Sequence, residues 1–559
     1  MPGREDDACR EVSAPVVPAE LPSPPMLRHR PRGDQGEHLP LSFVIEAALC
    51  RRRAHLHHVA PMGGPVPSDD EEAPPPLPAG YVRRVVSVAC DDLAVTADLD
   101  LLRPEAGSQD EFARLPEVAN RLAPADLAAV AALVAALARR AAPALRSVVR
   151  WVGGRLLPVE TAAEDLPRAR RLVAAAAELA LQPRADLPLT LDPACEDCRF
   201  TDVCLPDETA ALAGRIPPGS VRRLVPARDD RRPLYVQAYD LKVGVSQGRL
   251  VVRRGKEVVE DVPLAEVSQL CLVGGAQVTT QALRTCFAEQ IPVFFFTGSG
   301  WFMGRAMGEP PGNVPLRLAQ ARALGDRAIS LAAARTFVCD KIHNARVFLR
   351  RNARALDRAV LDQLTRLERQ AKKAPDLAAL RGYEGRAART YFGAWNACLD
   401  PARGFRATGR TKRPPRDPVN AMLSYCYGVL VRDWVLACHV VGLDPMIGVY
   451  HQPLWGRPAL ALDLMEPSRP WVADSVVLRL INNGEVRPEH FERAGDVVQM
   501  APQARRALLR AYERRVDGLH THPVFGYRIS VRRTFEVQAR LFARWLLGEI
   551  PEYRGIRVR

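Results

Sequence analysis

The sequence predicts a multidomain chain: an α/β unit first, then a small β domain, then a large all-α domain. Three observations carry this reading. A length of 559 residues is too great for one hydrophobic core. Charge divides sharply: residues 1–218 hold 24 Lys+Arg against 32 Asp+Glu, net −8, and the remainder holds 54 against 32, net +22. The apolar pattern also changes character after a coil-like stretch at 213–232. Overall composition, 47% hydrophobic and 25% charged, is that of ordinary globular protein. No window approaches eighteen uncharged apolar residues, and no basic leader precedes an apolar run, so the expectation is a cytoplasmic protein with no membrane segment.

Fifteen of the 48 prolines fall in the first 80 residues. Residues 1–40 read as a disordered tail, and 59–80, with SDDEEAPPPLPAG at 68–80, as loop. Between them LSFVIEAALCRRRAHLHH has helical spacing. YVRRVVSVAC from Tyr81 and LAVTADLDLL at 93–102 read as strands. The alanine-rich stretch 124–150 reads as helix, 155–160 as strand and 164–180 as helix. These make a first unit over 41–212, with 213–232 as linker. From 233 to 314, apolar–polar alternation with Gly-bearing turns predicts an antiparallel β domain, and IPVFFFTGSG ends a buried strand. From 315 to 559 the pattern is helical throughout, broken by TGRTKRPPRDP at 408–418.

PACEDCRFTDVCLPD sets Cys195, Cys198 and Cys204 in a C-x2-C-x5-C run. Two cysteines three positions apart can aim both sulfurs at one metal centre, and a third closes another corner. A fourth ligand then comes from elsewhere, and Cys50, just before a basic helical segment, is the candidate. Spacing alone does not choose between zinc and an iron–sulfur cluster. The other eight of the twelve cysteines are isolated and read as buried apolar residues.

LAVTADLDLL, a helical region, and then C-x2-C-x5-C-x-P with a distant upstream cysteine resemble the RecB-like iron–sulfur exonucleases of CRISPR systems. That resemblance implies a restriction-nuclease-like α/β fold and a [4Fe–4S] cluster on Cys50, Cys195, Cys198 and Cys204. It also implies a nuclease site in which Asp100 matches the family Asp and Glu117 the Glu. The family Glu-x-Lys lysine is replaced by Ala119, the first lysine of the chain is Lys242, and helix 126–140 offers no glutamine. His55, His57 and His58 lie close to Cys50 for the family histidine. The expectation is a nuclease fold that selects or trims incoming DNA without robust cleavage of its own.

Three segments of the basic part carry chemistry. In LRGYEGRAARTYFGAW, at 380–395, helical spacing puts Glu384 on a face with Ala387, Ala388 and Tyr391, and Gly382 and Gly385 would permit close approach of a neighbour. In GLDPMIGVYHQPLWGRPALALDLMEPSRP, at 442–470, His451 falls in a loop, and Asp463 and Glu466 share a helix face. An imidazole with carboxylates in a basic domain suits a hard divalent metal. In TGRTKRPPRDPVNAMLSYCYG the prolines prevent helix, so Arg410, Lys412, Arg413 and Arg416 are expected to project from a loop toward phosphates.

Together these segments resemble the CRISPR spacer-acquisition integrase over roughly residues 230–559. The resemblance implies that Glu384, His451 and Glu466 hold Mg²⁺ or Mn²⁺, with Asp463 a second acidic contributor. It implies a metal-dependent DNA endonuclease and integrase that inserts short foreign fragments into the CRISPR array by 3′-hydroxyl transesterification. The implied partners are double-stranded DNA, a second copy of the chain, and a small ferredoxin-like CRISPR protein. One alternative uses the same site chemistry, a structure-selective nuclease acting on branched DNA in repair; another is a DNA-binding scaffold, against which Glu384, His451 and Glu466 together argue.

Overall fold

A computed structural model describes residues 39–54, 80–105, 109–179, 200–227, 231–298, 302–308, 314–411 and 414–559, together with residues 189, 191, 195, 196 and 198. The first 38 residues, the 59–79 part of the expected loop, His55, His57 and His58, and Lys412 and Arg413 lie outside the described residues.

The first unit is a six-stranded mixed sheet with helices packed on it. Its elements are β1 (Leu39–Pro40), α1 (Leu41–Leu49), α2 (Arg51–Ala54), β2 (Tyr81–Cys90), β3 (Val95–Pro104), β4 (Glu111–Arg114), α3 (Pro124–Ala141), β5 (Leu145–Val152), β6 (Arg155–Pro158) and α4 (Asp165–Leu179). Ala94 takes the left-handed conformation (φ 50°) between β2 and β3, whose ladder runs the full length of both strands. The other edge of β3 pairs first with β1, then with β4. The helix expected over 124–150 stops at Ala141. Pro143 cannot continue the helical ladder, and the β-branched run that follows pairs with β4 as β5.

Two short helices, α5 (Thr201–Cys204) and α6 (Pro206–Leu212), carry the last cysteine. Their apolar residues Phe200, Val203, Leu205 and Ala211, and Val221 and Val225 from the predicted linker, pack into the core of the C-terminal helices, apart from the first unit's own core. The cysteine segment therefore wedges into the basic part of the chain.

The β domain holds β7 (Arg232–Gln237), β8 (Leu241–Ser246), β9 (Arg249–Arg254), β10 (Glu257–Pro263), β11 (Val267–Val273), β12 (Gln277–Val278), α7 (Thr280–Ala288), β13 (Val293–Phe296) and β14 (Phe302–Ala306). It is only partly antiparallel. β8–β9–β10 form the expected meander, but β11 runs parallel to both β7 and β13. The α7 crossover brings β13 back in the same direction. The uninterrupted apolar runs QLCLV and VFFF suit strands buried on both faces.

The C-terminal part comprises α8 (Val314–Gly325), α9 (Arg327–Asn352), α10 (Arg358–Lys372), α11 (Leu377–Ala394), α12 (Pro418–Val441), α13 (Ala459–Met465), α14 (Ser475–Asn482), α15 (Pro502–Val516) and α16 (Val531–Leu546). It is not helical throughout: hairpins β15 (Phe491–Ala494)–β16 (Val497–Met500) and β17 (Leu519–Thr521)–β18 (Arg528–Ser530) interrupt it. α12 is long and apolar enough to cross a membrane by length and composition, but it carries Arg432 and Asp433 and 72% of its apolar window is buried inside the molecule. It is the central core helix, packed on α16 and α13.

Candidate metal and DNA-joining site

Four elements meet at one polar centre. α11, capped by the Asp376 carboxylate accepting from the Ala379 amide (2.8 Å), carries Glu384. α12 ends at Gly442 in the left-handed conformation (φ 87°), which releases the loop that carries His451. The Gln320 side chain donates to the carbonyls of Asp444 and Ile447 and accepts from the Asp444 amide, pinning that loop. At Gly448 a Cβ would fall 2.8 Å from the Asp463 carboxylate, so only glycine lets loop and α13 approach so closely.

Asp463 is fully buried and directs both oxygens at that loop. One accepts from the amides of Val449 (2.8 Å) and Tyr450 (3.0 Å), the other from the His451 amide (2.8 Å) and the His451 Nδ1 (2.6 Å). It positions His451, where the sequence suggested a direct acidic contributor. With Nδ1 engaged, His451 Nε2 faces Glu466 at 3.7 Å.

Glu384 and Glu466 are brought together at the ammonium of Lys341, which reaches in from α9, and His451 faces Glu466. Lys341 pairs with Glu384 and lies 2.7 Å from Glu466; Arg469 lies 3.0 Å from the same Glu466 oxygen. Tyr450 donates to the other Glu384 oxygen at 2.5 Å. Burial opposes ionisation of Glu466, but Arg469 and Lys341 outweigh it and hold the carboxyl at about 2. Glu384 is likewise kept below its ordinary value by Lys341 against the cost of burial, and burial then Glu384 push Tyr450 well up. Lys341, Tyr450 and Arg469 escaped the reading of the sequence. Lys341 had one signal: it is one of only six lysines in an arginine-rich chain.

No three His, Cys, Asp or Glu side chains among the described residues, here or at the cysteines, are spaced to hold a metal ion. The donor types do fit one: two carboxylates already meet a cation, and an oriented imidazole faces one of them.

The remaining predicted residues fall elsewhere. Gly382 and Gly385 face open space, with nothing within 4 Å of where a Cβ would sit, so they make no close helix contact. Arg410 does not project: its guanidinium turns inward to the Thr411 carbonyl (2.5 Å), Asn420 (2.9 Å) and Ser424 (3.1 Å), and lies over the Tyr427 ring. Arg416 is exposed. Asp100, on β3, is paired with Arg83 at 2.7 Å, and Arg114 lies 4.0 Å away. Glu117 is exposed on a helical turn beyond β4, the strand that faces Asp100.

Cys50 caps α1, Cys195 and Cys198 flank a turn closed by Thr201 donating to both their carbonyls (2.7 and 2.6 Å), and Cys204 ends α5. The four half-buried thiols share one neighbourhood. Burial, then Cys204, Cys198 and Cys50, push Cys195 to about 11. By donor type four thiols suit a thiophilic metal or cluster, which would stabilise their thiolates, but no three of them stand at ligand spacing.

Comparison with known proteins adds three findings. Residues 234–514 match the family model described as CRISPR associated protein Cas1. The chain is 37% identical over 535 residues, 93% of each chain, to a CRISPR-associated exonuclease Cas4/endonuclease Cas1 fusion from Geobacter sulfurreducens. Among solved structures its fold resembles a Cas6-RT-Cas1–Cas2 complex chain (TM-score 0.52, 22% identity, covering 59% of this chain and 36% of that one) and a casposase bound to integration product (TM-score 0.51, 19% identity, 58% and 92%).

Proposed function

We propose that this chain, which belongs to the family of CRISPR-associated exonuclease Cas4/endonuclease Cas1 fusions, joins short DNA fragments into a CRISPR array by metal-dependent transesterification. The observation that carries the reading is the meeting of Glu384 and Glu466 on one cation with an Asp463-oriented His451 facing Glu466, in the part of the chain with net charge +22.

In the reaction, the 3′-hydroxyl oxygen of the fragment forms a bond to a phosphorus of the repeat. The bond from that phosphorus to its own 3′-oxygen breaks, and one proton passes from the attacking hydroxyl to the departing oxygen. One phosphodiester replaces another, so neither a nucleotide cofactor nor a protein adduct is required. Glu384, His451 and Glu466 are the residues that would hold Mg²⁺ or Mn²⁺, which supplies Lewis-acid charge at the phosphoryl oxygens. Glu466, ionised far below neutral pH, keeps its donor oxygens available at any physiological pH. Asp463 fixes the His451 ring so that Nε2 faces the centre. Lys341 and Arg469 add fixed positive charge beside the charge that develops on the phosphorane. Tyr450 orients one Glu384 oxygen.

The four cysteines would hold a [4Fe–4S] cluster. The first unit would select DNA without cutting it well, because Arg83 already occupies the Asp100 carboxylate. A second copy of this chain and a Cas2-type protein would complete the assembly; a solved neighbour of the same fold is named as a complex with Cas2.

The test is an integration assay with labelled fragment, repeat-bearing plasmid, Mn²⁺ and the Cas2-type partner. Wild type should join strands, while Glu384→Ala and His451→Ala should not. Near-wild-type joining by either variant would overturn the shared-site reading. Cleavage of branched DNA without joining would favour a repair nuclease.

A further inference from the structure

One face of α9 grips the Glu466 turn at two points. Lys341 lies 2.7 Å from the Glu466 carboxylate, and Asn344, one turn further along, donates to the carbonyl of Pro467, the next residue in the chain, at 2.8 Å. Asn344 is fully buried and spends its whole side-chain amide on backbone groups. Its second hydrogen goes to the Ile556 carbonyl (2.8 Å), and its oxygen accepts from the Val558 amide (2.9 Å). We propose that Asn344 is a positioning residue for strand joining: braced by segment 555–558, it fixes where the Glu466 carboxylate stands relative to Glu384 and His451. This rests on the joining reaction above and adds to it a buried residue that acts through Glu466.

The backbone of the Glu466 turn is held loosely by its own bonds. α13 ends at Met465, Pro467 has no amide hydrogen to give, and the two backbone bonds across the turn, from Glu466 to Asp463 and from Arg469 to Glu466, are 3.2 and 3.4 Å long. The bond from Asn344 is shorter than either. Asn344 is in turn held from behind. His343 donates through Nε2 to the Val558 carbonyl (3.0 Å), and Arg557 pairs with Asp340 of α9 (2.5 Å) and Glu368 of α10 (2.9 Å). Ile556 is buried in the C-terminal core, and at Gly555 a Cβ would collide with the Asp340 carboxylate, so the segment lies flat on α9. Neighbours on one helix thus divide the work: Asp340 and His343 fasten the segment, Lys341 meets the carboxylates, and Asn344 ties the segment to the Glu466 turn. A misplacement of about 1 Å at the chemistry can cost about a hundredfold in rate. Groups that orient metal-binding side chains typically count for about 10–100-fold in metal affinity.

The test reads three quantities in the full chain: Tm, Mn²⁺ affinity by electron paramagnetic resonance, and the kcat and KM of joining with the Cas2-type partner. Asn344→Asp keeps the shape and the oxygen that faces Val558 but turns an acceptor toward both carbonyls. Asn344→Ala removes all three bonds without adding charge, and either variant that is folded at the assay temperature decides. Tyr553→Phe is the control, because it removes the bond from the same stretch of chain to Gln538 (2.9 Å) and leaves Asn344 untouched. In the Asn344 variants Mn²⁺ affinity should be at least about tenfold weaker and kcat about ten- to a hundredfold lower, with KM for the fragment within about twofold of wild type. Tyr553→Phe should lower Tm and move neither. Mn²⁺ affinity and kcat within about twofold of wild type in a folded Asn344 variant, or equal losses in Tyr553→Phe, overturn the assignment. Weakened Mn²⁺ binding in the Asn344 variants with no joining by wild type keeps the positioning role and overturns the joining reaction instead.

Discussion

Glu549 is the residue on which the two parts of the chain should be most sensitive. Its carboxylate, 1% exposed, is shared by Arg52 of α2, next to Cys50, and by Arg544 near the end of α16 at 2.7 Å; the two arginines are 2% and 0% exposed. Arg544 also donates to the carbonyls of Val203 and Cys204. Glu549→Gln keeps the shape but strips the charge, leaving two buried guanidiniums without their shared anion. Removing one partner of a buried ion pair costs about 3–5 kcal/mol, and each 1.4 kcal/mol is a tenfold change in equilibrium. Local opening of the joint should therefore rise by between about a hundred- and several-thousand-fold. Hydrogen exchange of the amides in α2 and α5 measures this directly, because those helices open when the joint does. Replacing all three groups by apolar residues (Arg52→Met, Arg544→Met, Glu549→Leu) should recover much of the protection, since no uncompensated charge remains. Exchange in Glu549→Gln within twofold of wild type would refute the reasoning. It would mean that water or rearranged side chains solvate the arginines at little cost.

Glu466→Ala should abolish joining but also lower Tm, unlike Glu384→Ala, because it removes a buried carboxylate from two half-buried cations, Lys341 and Arg469; equal Tm for the two variants would contradict this argument. Anaerobically purified protein should be brown, and Cys195→Ala should bleach it and loosen α5; about one zinc and no iron by elemental analysis would reject the cluster. Burial pushes the Glu208 carboxyl, bonded to Tyr527, up to about 7. It is thus protonated in the folded protein where the unfolded chain, near 4.5, is ionised. Stability should therefore fall as pH rises from about 4.5 to 7, by about 3 kcal/mol, and Glu208→Gln should flatten that slope in pH-dependent melting curves. Full-length protein carrying Glu384→Ala should show little Mn²⁺-dependent cleavage of single-stranded DNA; robust cleavage that vanishes on Asp100→Ala would show that Arg83 yields the carboxylate.

What the sequence determined by itself was local. Helical spacing placed Glu384 on a helix, His451 was read in a loop, and the three-residue interval put Asp463 and Glu466 near one another. Cysteine spacing likewise marked one thiol neighbourhood, since neighbours in a turn are neighbours in space. Tertiary structure decided the rest, because it depends on contacts between segments far apart in the chain. Lys341 meets Glu384 across 43 positions only because α9 and α11 pack side by side. Asp463 and Glu466, alike in sequence, were given different tasks by what lies opposite: backbone amides for one, cations for the other. Arg410 turned inward because Asn420 and Ser424, one helix away, offered its guanidinium acceptors. The parallel pairing of β11 follows from the route of the α7 crossover, and the seat of the cysteine helices in the C-terminal core follows from the burial of Phe200, Val203 and Leu205. Periodicity fixes which face of an element is apolar; which partner covers that face is settled only when all the faces are packed together.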